Sequence, residues 1–530
     1  MLHNGRQRGC SKRSRSATRL AQRHRLSTRR FVEKDDFPVK KTIWVGTLLL
    51  LGLSTTGLLS AQPKPPAEQA SATASQPTSA PAGHGKQQPS SALGSATTRY
   101  LPAETGALRY RGAIGYIVIL ALCFLLSRNR KAINWRTVGW AVVLQVIFAA
   151  IVLSHGQFFF DKVDYGVRAL LGFADSGIDF VFQGIVPHQV TYQAVPGEPM
   201  TTAVVIGRMS PVLKTLAFSV LPTVIFFSSL IAVLYHLGIM QLVVRGMAWV
   251  MAHAMKTSGA ETLSCTANIF VGQTEAPLLV RPFIDKMTQS ELMAVMTGGF
   301  ATVAGGILAI YVGMLGAIDG IAGHLVTASI MAAPAALGVS KLLFPETERS
   351  VTAGAVEINV ERPDANVIEA AARGAADGMT LVLNIVAMLI AFVGLVALIN
   401  AVLGLASLSI EQLLGWLFSP FAWLIGIPWA EATKIGELLG KKLVLTELLA
   451  FIGLKDMLAA QTPVLSRRSA VISSYALCGF ANIASIGIQI GGIGGMAPKR
   501  RADLARLGVK AMFAGALVSL LSGAIAGMMV

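Results

Sequence analysis

Asn268-Ile269-Phe270-Val271-Gly272-Gln273-Thr274-Glu275-Ala276-Pro277 is a polar stretch set between long apolar runs. It carries an amide pair, a hydroxyl, a carboxylate and a proline where its neighbours carry alkyl groups. A charged side chain at bilayer depth costs at least roughly 2.5 kcal/mol on insertion scales, so one that persists there points to a function. Gly272 and Pro277 disfavour a continuous helix, and broken backbone at that depth survives only where protein or a watery cavity satisfies the freed groups. The stretch therefore reads as the tip of a re-entrant hairpin, about 261–283, that aims polar groups into a cavity.

Working outward, 53% of the 530 residues are hydrophobic and 14% charged. Together with repeated apolar runs, this places the chain in the multi-span membrane class. The formal charge of +17 does not describe the body of the protein. Residues 1–41 hold 13 Lys/Arg against 3 Asp/Glu, so +10 of the excess precedes the first apolar run. A nucleic-acid role for this tail is set aside because residues 42–61, ending Leu59-Ser60-Ala61, follow it as a signal peptide or signal anchor would. Residues 62–105, rich in Pro, Ser and Ala, read as a flexible linker on the translocated side. The four cysteines, Cys10, Cys123, Cys265 and Cys478, are too scattered for a metal or disulfide framework.

Eight spans are expected between about 112 and 530, and the basic loops after the first span and before the last both fall on the cytoplasmic side. Residues 106–210 hold the first two spans and an interfacial segment, 211–345 a first transport repeat, 346–376 a cytoplasmic linker and 377–530 a second repeat. The repeat shows in the residues. Thr274-Glu275 recurs as Thr446-Glu447, 172 positions on, and Gly299-Phe300-Ala301-Thr302-Val303-Ala304 recurs as Gly479-Phe480-Ala481-Asn482-Ile483-Ala484, 180 positions on. Each unit reads span, interfacial helix, polar hairpin, glycine-broken span, span. Three crossings per unit insert the second copy upside down, which is the architecture of secondary transporters. The expected fold is thus an all-α polytopic membrane protein, an inverted-repeat transporter with two re-entrant hairpins and glycine-broken helices.

Glu275 and Glu447 hold matching positions and are the strongest candidates; the bland alternative is a carboxylate that only satisfies nearby backbone. Gln273 and Asn482 add amide donors and acceptors. Thr302 and Ser485 are weaker, because hydroxyls often bond back to their own helix. Asn268 is either functional or a half-helix cap, and Phe480 is either core or a stacking surface. The run Gly491-Gly492-Ile493-Gly494-Gly495 lacks the strand and acidic residue of a dinucleotide loop. No phosphate-binding loop, zinc motif or nucleophile–base set is present, which argues against ATP-driven transport and against an enzyme.

Gly272-Gln273-Thr274-Glu275-Ala276-Pro277-Leu278, Gly299-Phe300-Ala301-Thr302-Val303-Ala304-Gly305 and Gly479-Phe480-Ala481-Asn482 together resemble the signature segments of the concentrative nucleoside transporter family, over about residues 110–530. The resemblance implies a homotrimer in the bacterial cytoplasmic membrane, with the linker periplasmic, that takes up nucleosides of the uridine, cytidine and adenosine class with sodium or protons. It implies that Gln273, Thr274, Glu275 and Ile307 meet the base, and that Glu447, Asn482 and Ser485 meet the ribose beside Phe480. It implies a sodium site made of the Asn268 and Thr302 side chains and the Val271 and Val303 carbonyls. No nucleic-acid partner and no cofactor besides the coupling ion are expected.

Neither Asn268 nor Thr302 titrates, which suits sodium; protonation of Glu275 or Glu447 is the competing mechanism. A carrier for another small polar solute and a passive channel are the rival functions. One departure from the family stands out. Its second hairpin reads Asn-Glu-Phe-Val-Ala-Tyr, and this chain has Thr446-Glu447-Leu448-Leu449-Ala450-Phe451.

Overall fold

A computed structural model describes residues 100–101, 107–154, 156–182, 189–192, 201–204, 216–353, 364–460 and 462–530. The basic tail, the signal segment and all of the linker but Tyr100 and Leu101 lie outside them. Those two residues are tied down: the Tyr100 hydroxyl donates to the Ala317 carbonyl at 3.0 Å and the Leu101 N–H to that of Leu465 at 3.0 Å.

Helices dominate. In order they are α1 (Ala107–Leu125), α2 (Trp135–Ser154) and α3 (Gly156–Phe182), then α4 (Thr223–His236), α5 (Ile239–Met255) and α6 (Gly259–Ala267). There follow α7 (Gln289–Ala301), α8 (Gly305–Met314), α9 (Ile321–Leu343), α10 (Val367–Leu403) and α11 (Ile410–Leu424). The last five are α12 (Trp429–Val444), α13 (Glu447–Ala459), α14 (Arg467–Leu477), α15 (Ile483–Met496) and α16 (Arg501–Met529). The departure from an all-helical chain is a small antiparallel pair, β1 (Gln189–Tyr192) and β2 (Thr201–Val204), with Gln189 opposite Val204. It lies in the segment expected as an external loop, where Val190, Thr191, Tyr192, Thr201 and Thr202 supply β-branched and aromatic residues that suit a strand.

Among the described residues, four segments are long and apolar enough to cross a membrane: Gln289–Met314 taken through its break, Ile321–Leu343, Val367–Ala406 and Pro498–Met529. The 23 residues of α9 span about 35 Å, enough for the hydrocarbon core. Two further apolar pairs are bent, α4 with α5 by 76° and α11 with α12 by 118°.

Boundaries shift where local chemistry outweighs hydropathy. The span expected from about 379 begins at Val367, because Asn366 caps the Glu369 N–H at 2.9 Å and the alanine-rich run that follows favours helix. The basic loop expected before the last span is itself helical, so Arg501, Arg506 and Lys510 ride on α16. Reciprocal capping boxes start α6 (Ser258 with Glu261), α7 (Thr288 with Glu291) and α11 (Ser409 with Gln412).

The two expected broken spans are both broken. Between α7 and α8, Thr302 (φ −115°, ψ 168°) and Ala304 (φ −61°, ψ 140°) run extended. Between α14 and α15, Gly479 has φ +120°, a conformation open to glycine and costly to other residues. The breaks lie against each other. The Phe480 N–H donates to the Thr302 carbonyl at 3.3 Å, and a Cβ on Gly479 would sit 2.9 Å from the carbonyl oxygens of Phe300 and Ala301. Packing is reciprocal as well: α7 lies on α16, and α14 lies on both α9 and α16.

Candidate functional site

Each break is met by a polar hairpin. In the first, α6 ends at Ala267, Asn268 follows as its cap, and the chain resumes as a tight turn of helix at Ala276–Val280 with Pro277 near its start. This hairpin is tied to the first break by the Gly305 N–H, which donates to the Phe270 carbonyl at 3.0 Å. In the second, α12 stops at Val444 and α13 restarts at Glu447, its first turn capped by Thr446. The loss of the family's asparagine at 446 therefore spares the cap, since threonine serves there too.

Four of the expected site residues, Gln273, Ser485, Glu447 and Asn482, fall into two linked clusters. In one, Gln273 Nε2 donates to Ser485 Oγ at 3.3 Å, and Gln273 Oε1 accepts from Gln489 Nε2 at 3.0 Å. A Cβ on Gly299 would lie 2.7 Å from Gln489 Nε2 and 2.9 Å from Gln273 Cβ, so glycine at 299 makes room for this amide pair. In the other cluster, Glu447 is 6% exposed and both its oxygens are engaged. Oε1 accepts from the Tyr311 hydroxyl at 3.0 Å and Oε2 from Asn482 Nδ2 at 2.7 Å. One turn of α15 joins the clusters, because Asn482 Oδ1 caps the Ser485 N–H at 2.8 Å.

Thr274 and Glu275 form a pair of their own, Thr274 Oγ1 donating to Glu275 Oε1 at 2.9 Å, with Glu275 exposed. Thr274 packs on Gly492, where an added Cβ would lie 2.5 Å from its methyl group. Within the glycine run that resembles a dinucleotide loop, Gly492 is thus where Thr274 of the first hairpin rests on α15. Ile307, 5% exposed, is an apolar wall on α8, and Phe480 is half-buried.

At the first crossing, where the Asn268–Pro277 hairpin meets the Thr302 break, Asn268 is buried. Its Nδ2 donates to the Ser264 carbonyl at 3.1 Å, while its Oδ1 is sealed from solvent with no hydrogen-bond partner among the described residues. Thr302 Oγ1 gives its proton to the Gly298 carbonyl at 2.9 Å, which leaves the oxygen's lone pairs for another donor or a cation. A buried acceptor without a donor, and a hydroxyl whose proton is already committed, are each the kind of oxygen that suits a hard cation. Val303 is buried and Val271 half-buried.

Profiles described as "Na+ dependent nucleoside transporter N-terminus", "Nucleoside recognition" and "Na+ dependent nucleoside transporter C-terminus" match residues 114–185, 217–318 and 324–527. An "Uncharacterized transporter" of Haemophilus influenzae is 44% identical over 428 residues, 79% of this chain and 97% of that protein. The chain belongs to the concentrative nucleoside transporter family. Sodium/nucleoside cotransporter 1 of Mus musculus is 38% identical over 436 residues, which are 78% of this chain and 63% of that protein. The solved structure of CNTnw in an inward-facing substrate-bound state matches with a TM-score of 0.71 at 41% identity, over 80% of this chain and 98% of that one. As a concentrative nucleoside transporter, the protein is a multi-pass membrane transporter and not an enzyme.

Three residues of this family member escaped the reading of its sequence. Tyr311 is fully buried and hydrogen-bonded to Glu447, and its ring stacks on Phe451 with centroids 4.2 Å apart. The phenol missing at 451 is therefore not missing from the site. Gln489, also fully buried, binds both Gln273 and the Met296 carbonyl. Lys442 sits behind the second break. Gln489 and Tyr311 lie in apolar runs, and Lys442 follows Lys441 in a charged amphipathic helix where one more lysine stands out little; Tyr311 alone had a signal, as the one phenol in the glycine-rich fourth span.

Proposed function

We propose that the chain is a secondary active symporter that imports nucleosides across the bacterial cytoplasmic membrane, driven by sodium. The observation that carries this is the linked pair of polar clusters, one amide-rich and one carboxylate-centred, at the crossing of two broken helices. A nucleoside has the matching chemistry, a flat base edge of donors and acceptors at one end and vicinal hydroxyls at the other.

Gln273, Thr274 and Glu275 receive the base edge, with Ile307 as the apolar wall, and Gln273 exchanges its bond to Ser485 for the ligand. Glu447, Asn482 and Ser485 receive the ribose beside Phe480. A carboxylate offers about four lone-pair sites, so Glu447 accepts two hydroxyls while keeping Tyr311 and Asn482. Sodium binds Asn268 Oδ1, Thr302 Oγ1 and the carbonyls of Val271 and Val303; the donorless buried oxygen of Asn268 supports this assignment.

The domain plan is the inverted repeat of 211–345 and 377–530, each with a re-entrant hairpin. The recurring order of helices and the reciprocal packing of α7 on α16 and α14 on α9 support it. Rocking of the hairpin-bearing part against the remaining spans gives alternating access. The assembly is a homotrimer, and an apolar 18-residue window of the segment Val367–Ala406, little covered by the rest of the chain, is free to meet lipid or other copies.

Radiolabelled uridine uptake into proteoliposomes tests the reading, with sodium and pH gradients imposed separately. Accumulation that saturates with sodium at constant pH is expected. Full uptake in choline buffer under an inward pH gradient alone would hand coupling to a carboxylate, and rapid non-saturable flux would make the protein a channel.

A further inference from the structure

Ser485, Gln489 and Gly492 stand four and three positions apart on α15, so they share one face of it. The tip of the first hairpin lies on that face. Gln273 meets Ser485 and Gln489, and Thr274 meets Gly492. Gln489 is fully buried, and its Nε2 donates to Gln273 Oε1 at 3.0 Å and to the Met296 carbonyl of α7 at 3.2 Å. Its own Oε1 is sealed from solvent with no hydrogen-bond partner among the described residues. An unmatched buried oxygen costs stability, and an apolar side chain of similar length, such as methionine, would fill the place without that cost. An amide is kept here for what its Nε2 holds.

Three constraints run in series through this contact. The Met296 carbonyl can only accept, so it keeps the Nε2 end of Gln489 towards α7 and Gln273. An amide nitrogen can only donate, so the end of Gln273 that faces it is Oε1. The other end of Gln273, its Nε2, is then turned to Ser485 Oγ, 3.3 Å away in the cluster assigned to the substrate. Turning the Gln273 amide over would set two donors against each other with no acceptor between them. Gly299, three positions after Met296 on α7, makes the room: an added Cβ would lie 2.7 Å from Gln489 Nε2 and 2.9 Å from Gln273 Cβ.

We propose that Gln489 is a positioning residue that fixes which end of the Gln273 amide faces the substrate, so that the site reads an acceptor atom on the edge of the base. This rests on the nucleoside reading above and on Gln273 meeting the base. Pyrimidine carbonyls and purine ring nitrogens are both such acceptors, so the lock selects a polarity and not a ring size. Gln489 touches no substrate itself; it acts through Gln273.

The test uses the full chain in proteoliposomes, with radiolabelled uridine uptake competed by unlabelled uridine, 2-thiouridine and 4-thiouridine. Each sulfur analogue trades one carbonyl oxygen for a weaker acceptor. In the wild type one of the two should compete roughly three- to tenfold less well than uridine, the range of one neutral hydrogen bond, and so mark the atom that Gln273 reads. Gln489→Met, which keeps the length and removes the amide, should lose that gap, as should Gln273→Met. The double variant should rank the three competitors as Gln273→Met alone does, because the two residues act as one unit. A wild type indifferent to both sulfur analogues, or a Gln489→Met protein that ranks them as the wild type does, overturns the proposal. If Gln489→Met does not fold, Gly299→Ala pushes the amide pair apart from the other side and should lose the same gap; an unchanged ranking there overturns the proposal equally. Wild-type vesicles that take up no uridine at all would instead sink the underlying transport reading.

Discussion

At the first crossing, between the Asn268–Pro277 hairpin and the Thr302 break, a buried amide oxygen faces no donor. At the second, between the Thr446 hairpin and the Gly479 break, Tyr311, Asn482 and Lys442 supply donors to the Glu447 carboxylate and to the carbonyls of Ala476 and Cys478. The two places share a sequence pattern, a Thr-Glu hairpin set against a glycine-phenylalanine-alanine break. The difference teaches that a recurring pattern can carry different polar chemistry at each occurrence. A place with an unmatched acceptor has room for a ligand; a place already matched internally holds its groups through bonds of its own.

The strongest way to break this comparison is Glu447→Gln. Replacing a charge-assisted acceptor of two hydroxyls should cost about 1.5–3 kcal/mol, roughly ten- to a hundredfold in uptake efficiency. Uptake of uridine and of its 2′,3′-dideoxy analogue, compared in wild type and variant, checks the assignment. Unchanged discrimination between the two would remove Glu447 from the ribose site.

Asn268→Ala acts on the other crossing. It should leave uridine binding at saturating sodium close to normal and move the sodium activation curve up by about tenfold, as expected for the loss of roughly 1.4 kcal/mol from one oxygen ligand. A variant whose sodium curve is unmoved, or whose uridine dependence alone changes, would erase the distinction between the two crossings.

Tyr311→Phe is the gentlest of the three. The ring, and with it the stack on Phe451, stays, and Glu447 loses one of its two protein donors. A several-fold rise in the uridine concentration for half-maximal uptake is expected, with the sodium curve unchanged; a shift in sodium dependence instead would mean that the crossings are not separable.

How much of this was legible beforehand depends on how local the signal was. The hairpin tips, the breaks and the two glutamates stood out because each puts polar or helix-disfavouring residues where hydrocarbon favours neither. The recurrence of two motifs in the same order was legible too. Tyr311, Gln489 and Lys442 were not legible, because each looks ordinary in its own run and acquires a role only from residues 136, 216 and 34–77 positions away. The capping residue Asn366 was readable in principle, yet hydropathy placed the start of its helix twelve residues late, because alanine-rich helix with charges scores as linker.

By itself, then, the sequence determined that this is a helical membrane protein with two polar interruptions that matter, since burial in lipid turns every charge and every break into a visible exception. Tertiary structure decided which exception meets which. It set the Phe480 N–H on the Thr302 carbonyl, rested Thr274 on the bare face of Gly492 and closed Glu447 between Tyr311 and Asn482. It also left one buried oxygen, on Asn268, without a donor. Whether a polar group is satisfied depends on partners brought from distant elements, and no local pattern of residues records that.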